Sequence, residues 1–247
     1  MDIAGRKILI TGATRGIGRQ LAAKLAARGA RLVLAARDAD RLAAVQADIR
    51  GQADIVACDL SRFDATDALA RRITDEHPDL SILVNNAAAQ TEMDFVHGQG
   101  LQTVCLARSE LAVNLAAPVA LISALMPVLR GQPSAAIINI TTALALAPKK
   151  ASPVYCASKA GLRNFTQALR YQCADDAPHV RVCEVIMTLV DTEMTRGRNA
   201  EKMAPDAAAE AIMAGITSDR GEVWVGKTRF LPALARLSPK TLQRILR

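Results

Sequence analysis

Thr11-Gly12-Ala13-Thr14-Arg15-Gly16-Ile17-Gly18 lies between an aliphatic run, Lys7 to Thr11, and an alanine- and leucine-rich stretch, Ile17 to Arg28. Glycines between a strand-like and a helix-like segment predict a tight turn. There the backbone can approach a phosphate, and the helix N-terminus offers free N–H groups and partial positive charge. A plain strand-to-helix connection has the same local pattern, so the rest of the chain must decide between the two.

Outward from this turn the pattern repeats. Strand-like runs at Lys7–Thr11, Arg31–Ala35, Ile55–Asp59, Ile82–Asn85, Ala135–Thr141, Val180–Ile186 and Glu222–Val225 alternate with helical patterns. The helical patterns lie at Ile17–Arg28, Arg41–Arg50, Ala65–His77, Leu106–Arg130, Val154–Cys173 and Pro205–Thr217, and Gly29 is placed to end the first. This alternation predicts an α/β fold, a Rossmann-type doubly wound domain with a seven-stranded parallel sheet and helices on both faces. No linker or repeat divides the chain, so residues 1–247 read as one dinucleotide-binding domain, with a basic tail over 226–247. The loops Ala89–Val104 and Leu189–Ala204 follow strand ends and belong over the carboxyl edge, where ligands bind.

Composition excludes several classes. With 247 residues and 51% hydrophobic content the chain can bury a sizeable core. Runs such as Leu32–Ala36 and Ala143–Ala147 are far shorter than the ~20 residues of a membrane span, so no transmembrane helix is expected. Met1 and Asp2 lead directly into the first strand without a leader pattern, which predicts a cytoplasmic protein. Cys58, Cys105, Cys156, Cys173 and Cys183 form no C-x-x-C pair and read as reduced residues, mostly of the core. His77, His97 and His179 are isolated, so no metal site is expected. The net charge is +7, but aromatics are only 3% and do not interleave with a basic block, which argues against nucleic acid. Basic residues gather instead at the end, in Lys227, Arg229, Arg236, Lys240, Arg244 and Arg247. From Phe230 to Arg247 they alternate with leucines, which fits a membrane-surface helix or, equally, subunit packing or a cap on the core.

The second strand ends in Leu34-Ala35-Ala36-Arg37, where NAD-binding sheets place a carboxylate for the ribose 2′-OH. Arg37, with Arg15 in the glycine turn, suits a 2′-phosphate and favours NADP(H) over NAD(H). The alternative is that Asp38 supplies the acid one position later. Cys58-Asp59-Leu60 ends the third strand, where Asp59 is placed to accept an adenine amino group. Val84-Asn85-Asn86-Ala87-Ala88 ends the fourth, with polar side chains short enough to tie loops together.

Tyr155-Cys156-Ala157-Ser158-Lys159 sets a phenol and an ammonium on one helical face. Their proximity predicts a tyrosine pKa below its usual value of about 10, which would make the phenol a usable proton donor or acceptor.

The glycine turn from Thr11 to Gly18, Asp59, Asn85-Asn86-Ala87-Ala88, Asn114, and Tyr155 with Lys159 together resemble, in order and spacing, the short-chain dehydrogenase/reductase family, from Lys7 to about Met194. His77-Pro78-Asp79-Leu80 and Pro153 to Lys159 are similar to its bacterial branch of DltE-like oxidoreductases. The resemblance implies that Tyr155 is the acid/base, Lys159 its partner and a ligand of the nicotinamide ribose, and Asn114 the anchor of a proton-relaying water. It implies a cofactor cradle of Gly12, Thr14, Arg15, Gly16, Ile17, Gly18, Arg37, Asp59, Leu60, Asn86 and Ala87, with Tyr155 and Lys159, and with Val190 and Thr192 at the carboxamide. It also implies a homodimer or homotetramer and a small carbonyl or alcohol substrate.

Two departures stand out. Thr142 occupies the position of the family's catalytic serine, keeping the hydroxyl but adding a methyl. Met187-Thr188 replaces a proline-containing turn beneath the nicotinamide. They leave open a second reading, an NADP(H)-binding regulator or scaffold with weak or lost catalysis. Thr142, Ala143, Leu144 and Met187 predict a mainly apolar pocket; Arg196 and Arg198 are either anion contacts or solvated loop residues.

Overall fold

A computed structural model describes residues 1–49, 53–98 and 100–246. The strands are β1 (Lys7–Thr11), β2 (Arg31–Ala36), β3 (Ala53–Ala57), β4 (Leu80–Asn85), β5 (Ala135–Thr142), β6 (Val180–Met187) and β7 (Glu222–Trp224). All are parallel, in the order β3-β2-β1-β4-β5-β6-β7. The expected seven-stranded parallel sheet is therefore present, and the strand order reverses between β1 and β4, the place where such sheets open a ligand crevice.

Alternation along each strand divides the core. Ile8, Ile10, Leu32, Leu34, Ile82, Val84, Ile138 and Val185 pack on one face beneath α1 (Gly16–Ala27), α2 (Ala39–Asp48) and α7 (Pro205–Thr217). Leu9, Val33, Leu83, Ile137 and Val182 face the other way, against α3 (Phe63–Glu76), α5 (Ala117–Arg130) and α6 (Pro153–Asp176). Burial on both faces explains why these strands read as continuous aliphatic runs. Arg50, the expected end of the second helix, lies outside the described residues, as does Gln99 in the first long loop.

The expected helix Leu106–Arg130 differs from what forms. α4 spans Leu101–Leu111, a π-helical turn follows at Ala112–Ala116, and α5 continues the stretch. The absence of long apolar runs also misjudged this segment: its 30 residues, Leu101–Arg130, are long and apolar enough to cross a membrane. Here Leu121, Leu125 and Leu129 are fully buried against the sheet and α3, as in the core helix of a globular domain.

The basic tail forms two short helices, α8 (Leu231–Leu237) and α9 (Pro239–Leu246). Leu231 and Leu242 are buried against Ala147, with Ala143, Leu146 and Trp224 packed around them. The tail thus caps the segment that follows β5. Arg247 lies outside the described residues.

Candidate active site

The glycine turn is laced to the end of β4. Thr11 Oγ1 accepts the Asn86 and Ala87 N–H groups, each at 3.1 Å, and Asn86 Nδ2 donates to Thr11 O at 2.9 Å and Gly12 O at 3.2 Å. This closeness dictates two glycines. A Cβ on Gly12, whose φ is +67°, would lie 2.8 Å from Ala87 Cα, and one on Gly18 would lie 2.2 Å from Gly12 O. No side chain caps the start of α1 and no acidic residue sits in its first turn, so its leading N–H groups can face an anion.

At the end of β2 the arginines separate in role. Arg37 is exposed at the strand end. Asp38 caps α2, its Oδ1 accepting Arg41 N–H at 3.0 Å and its Oδ2 pairing with Arg41 Nε at 3.1 Å. Arg15 reaches across the cleft to Glu193, 2.8 Å from Oε2, and Arg41 Nη1 lies 3.6 Å from Oε1. A carboxylate thus sits between two guanidiniums, and the Arg15 hydrogen bond, with Arg41 behind it, holds Glu193 below the usual carboxylate range. Asp59 Oδ1 accepts the Ser61 N–H and hydroxyl at 3.1 and 2.9 Å, and Leu60 is buried beside it.

The residues expected to react lie on the end of β5 and the start of α6, two elements that pack together. Ser152 is the N-cap residue of α6, Pro153 opens the helix with its pre-set φ, and Tyr155 and Lys159 follow on one face. Lys159 is only 2% exposed and its Nζ donates to Ile140 O at 2.8 Å on β5; burial brings the amine down to about 8. The phenol differs from expectation. Burial pushes Tyr155 above its usual value, neighbouring Cys156 adds to the rise, and Arg198 pulls the other way.

Asn114, fully buried in the π-helical turn, exchanges two hydrogen bonds with the Ala89 backbone at 2.9 and 2.8 Å and donates to Ser158 Oγ at 3.1 Å. Its side chain therefore joins the loop after β4 to the helix carrying Tyr155. Four residues earlier, buried Glu110 accepts Thr91 N–H at 2.8 Å, and burial raises its carboxyl. Sequence reasoning missed Glu110, although the i, i+4 spacing from Asn114 on an otherwise apolar helix was a usable signal.

The two departures face one another: Thr142 and Met187 are register partners across β5 and β6. Thr142 Oγ1 accepts Leu144 N–H at 3.3 Å, so the hydroxyl sits at the strand end. In place of a rigid proline turn, Val190 pairs with Met203 in an isolated bridge, with Met203 N–H to Leu189 O and Asp191 N–H to Met203 O both at 2.9 Å. Thr195 Oγ1 donates to Val190 O at 2.6 Å and accepts Thr192 N–H at 3.1 Å. The segment bearing Val190 and Thr192 is thus fixed by hydrogen bonds. It also overhangs the glycine turn, since a Cβ on Gly16 would lie 3.0 Å from Thr192 Cγ2.

Residues 6–203 match the family model described as short chain dehydrogenase. The chain belongs to the short-chain dehydrogenase/reductase family. It is 35% identical to an uncharacterised oxidoreductase, DltE, of Bacillus subtilis (strain 168), over 79% of this chain and 76% of that protein. A short-chain dehydrogenase of Burkholderia cenocepacia J2315, solved with NADP, superposes with a TM-score of 0.86 at 27% identity, covering 100% and 99% of the two chains. The fold is equally close, at a TM-score of 0.85 and 20% identity over 100% and 97%, to a Burkholderia phymatum short-chain dehydrogenase/reductase solved with NAD. Structural neighbours of this family member therefore hold either nucleotide, and as an oxidoreductase it acts on CH–OH or C=O groups.

Among the described residues, no three His, Cys, Asp or Glu side chains are grouped to hold a metal. All five cysteines are free; Cys105 is exposed and the other four are buried.

Proposed function

We propose that the chain is an NADP(H)-dependent oxidoreductase that moves hydride between the nicotinamide and a small carbonyl or alcohol, with Tyr155 as acid/base. The observation that carries this reading is that α6, which bears Tyr155 and Lys159, packs against the end of β5 and the turn after it, where Lys159 bonds Ile140 O and Thr142 stands, while the glycine cradle is too close-packed for any Cβ at Gly18. That cradle and the uncapped start of α1 fit a dinucleotide pyrophosphate. The preference for NADP(H) is supported by Asp38: its carboxylate is committed to capping α2, leaving exposed Arg37 at the ribose edge, with Arg15 held nearby by Glu193.

NADPH bound there would supply the hydride. The chain's part is to hold and protonate. Thr142 and Tyr155 hydrogen-bond the carbonyl oxygen; Tyr155, kept protonated by burial, gives its proton as negative charge develops, and the Lys159 ammonium stabilises the phenolate left behind. Thr14, Ile17, Ala87, Val190 and Thr192 line the remaining cofactor contacts.

We further propose that the 247 residues act as one unit in the cytoplasm and pair as a homodimer or homotetramer; exposed Leu101, Val104, Leu106 and Leu111 on α4 suit that pairing. The buried Leu231 and Leu242 favour a capping tail over a membrane anchor. Retention of the Thr142 hydroxyl and of a hydrogen-bonded segment after β6 favours an active enzyme over a scaffold.

Fluorescence titration tests the cofactor reading. NADPH should bind at least about tenfold tighter than NADH, and Arg37→Ala should weaken NADPH alone, as loss of a charge-assisted bond requires. Equal affinities would contradict it.

A further inference from the structure

We propose that Arg198 sets substrate specificity by gripping a carboxylate on the carbonyl substrate, a proposal that rests on the hydride-transfer reading above. Arg198 is half-buried in the segment after β6. Its Nη2 donates to Gln90 Oε1 at 2.8 Å in the loop after β4, and Gln90 Nε2 donates to Ser152 Oγ at 3.2 Å. Ser152, fully buried, immediately precedes the helix that carries Tyr155. A three-residue chain of hydrogen bonds thus draws the two loops together and holds one guanidinium on the Tyr155 side of the mouth.

The charge inventory singles this residue out. Other cations around the edge meet carboxylates: Arg15 with Glu193, Lys149 with Glu92, Lys202 with Asp191, Lys227 with Glu201. Among the described residues Arg198 has no such partner; its side chain is held by a neutral amide. A half-buried cation without a counter-ion carries a desolvation cost, and an anionic ligand would remove it. Gln90 engages a single nitrogen, so the rest of the planar fork can take a carboxylate with two parallel bonds. Gln90 and Ser152 tie Arg198 to the N-cap of the helix, three residues before Tyr155. Arg37, Lys150 and Arg196 also have no carboxylate partner among the described residues, but they are exposed, so water solvates their charge. The predicted substrate is therefore an oxo acid or hydroxy acid: the carbonyl at Tyr155, the chain along Ala143 and Leu144, the carboxylate at Arg198.

The test uses a series of straight-chain oxo acids and their methyl esters with NADPH and the full-length chain, comparing wild type with Arg198→Met and Arg198→Lys. The wild type should favour an acid over its ester in kcat/KM by about tenfold or more, the scale of one charged hydrogen-bonded contact. Arg198→Met should abolish that preference, lowering kcat/KM for the acid about tenfold more than for the ester with NADPH Kd unchanged, and Arg198→Lys should restore part of it. Equal rates for acid and ester across the series, or an equal loss for both in Arg198→Met, overturn the proposal. Calorimetric binding of the acids to the NADPH-loaded protein separates the two claims. Arg198-dependent binding without turnover would sink the hydride-transfer reading and uphold the grip; binding indifferent to Arg198 would sink the grip.

Discussion

Lys159 makes the catalytic centre pH-sensitive in a way whose sign is fixed by burial. Its amine falls from 10.5 to about 8, because enclosure disfavours the charged form, while the Tyr155 phenol is pushed upward. In the proposed mechanism, reduction needs the ammonium charged and the phenol protonated. Both conditions hold at pH 7, and only the lysine fails as pH rises. With a titration near 8, about nine-tenths of the lysine is charged at pH 7 and about one-tenth at pH 9, so the reduction rate should fall about tenfold over that interval and approach unit slope only above about pH 9. Stability runs the opposite way. A base whose folded pKa lies below its unfolded value destabilises the fold where it must be charged, so stability should rise between about pH 8 and 10.5. The gain from this group is up to about 3 kcal/mol. Initial rates with saturating NADPH from pH 6 to 10, read beside urea midpoints over the same range, check both. Arg cannot lose its proton in this range, so whatever activity Lys159→Arg retains should lack the alkaline fall. A wild-type rate that is flat from pH 7 to 10, or a fall that persists in Lys159→Arg, would rule out Lys159 as the titrating group.

Further expectations concern the frame around the centre. Gly18→Ala places a Cβ 2.2 Å from Gly12 O, so it should cost about 1–3 kcal/mol of stability in urea unfolding and weaken NADPH binding at least about tenfold by fluorescence. Glu184 is 1% exposed and pairs with Arg163 at 2.6 Å as well as with the Thr141 hydroxyl; Glu184→Gln should cost about 2 kcal/mol, below the usual figure for a broken buried pair because Glu222 remains 3.1 Å from Arg163. Leu242→Ala loosens the cap over Ala143, Leu146 and Ala147, so it should destabilise by about 2 kcal/mol and raise KM for the carbonyl, with NADPH Kd unchanged.

Much of the fold was legible in the sequence because a doubly wound sheet buries both faces of its strands: β1, at Lys7–Thr11, has the bounds its aliphatic run predicts, and β4 starts only two residues early. The π-helical turn escaped because an apolar helix keeps its pattern across one inserted residue, so Leu106–Arg130 read as uninterrupted. Asn114, Tyr155 and Lys159 were visible as spaced motifs. The partners that tune them were not, because they arise from contacts between distant segments: Glu193 meets Arg15 across the sheet edge, Lys159 bonds Ile140 on β5, and Gln90 holds Arg198. For the same reason the expected lowering of the Tyr155 pKa failed. Helical spacing places two side chains on one face, but it does not say how far the phenol is enclosed, and burial raises it.

The central claim is tested most directly by following NADPH absorbance at neutral pH with ketones, aldehydes and oxo acids, in wild type and Tyr155→Phe. The wild type should oxidise NADPH in a way that depends on one carbonyl class. In Tyr155→Phe turnover should be lost at least about a hundredfold, the scale of a general acid, with NADPH Kd nearly unchanged. Undiminished turnover in Tyr155→Phe would contradict it.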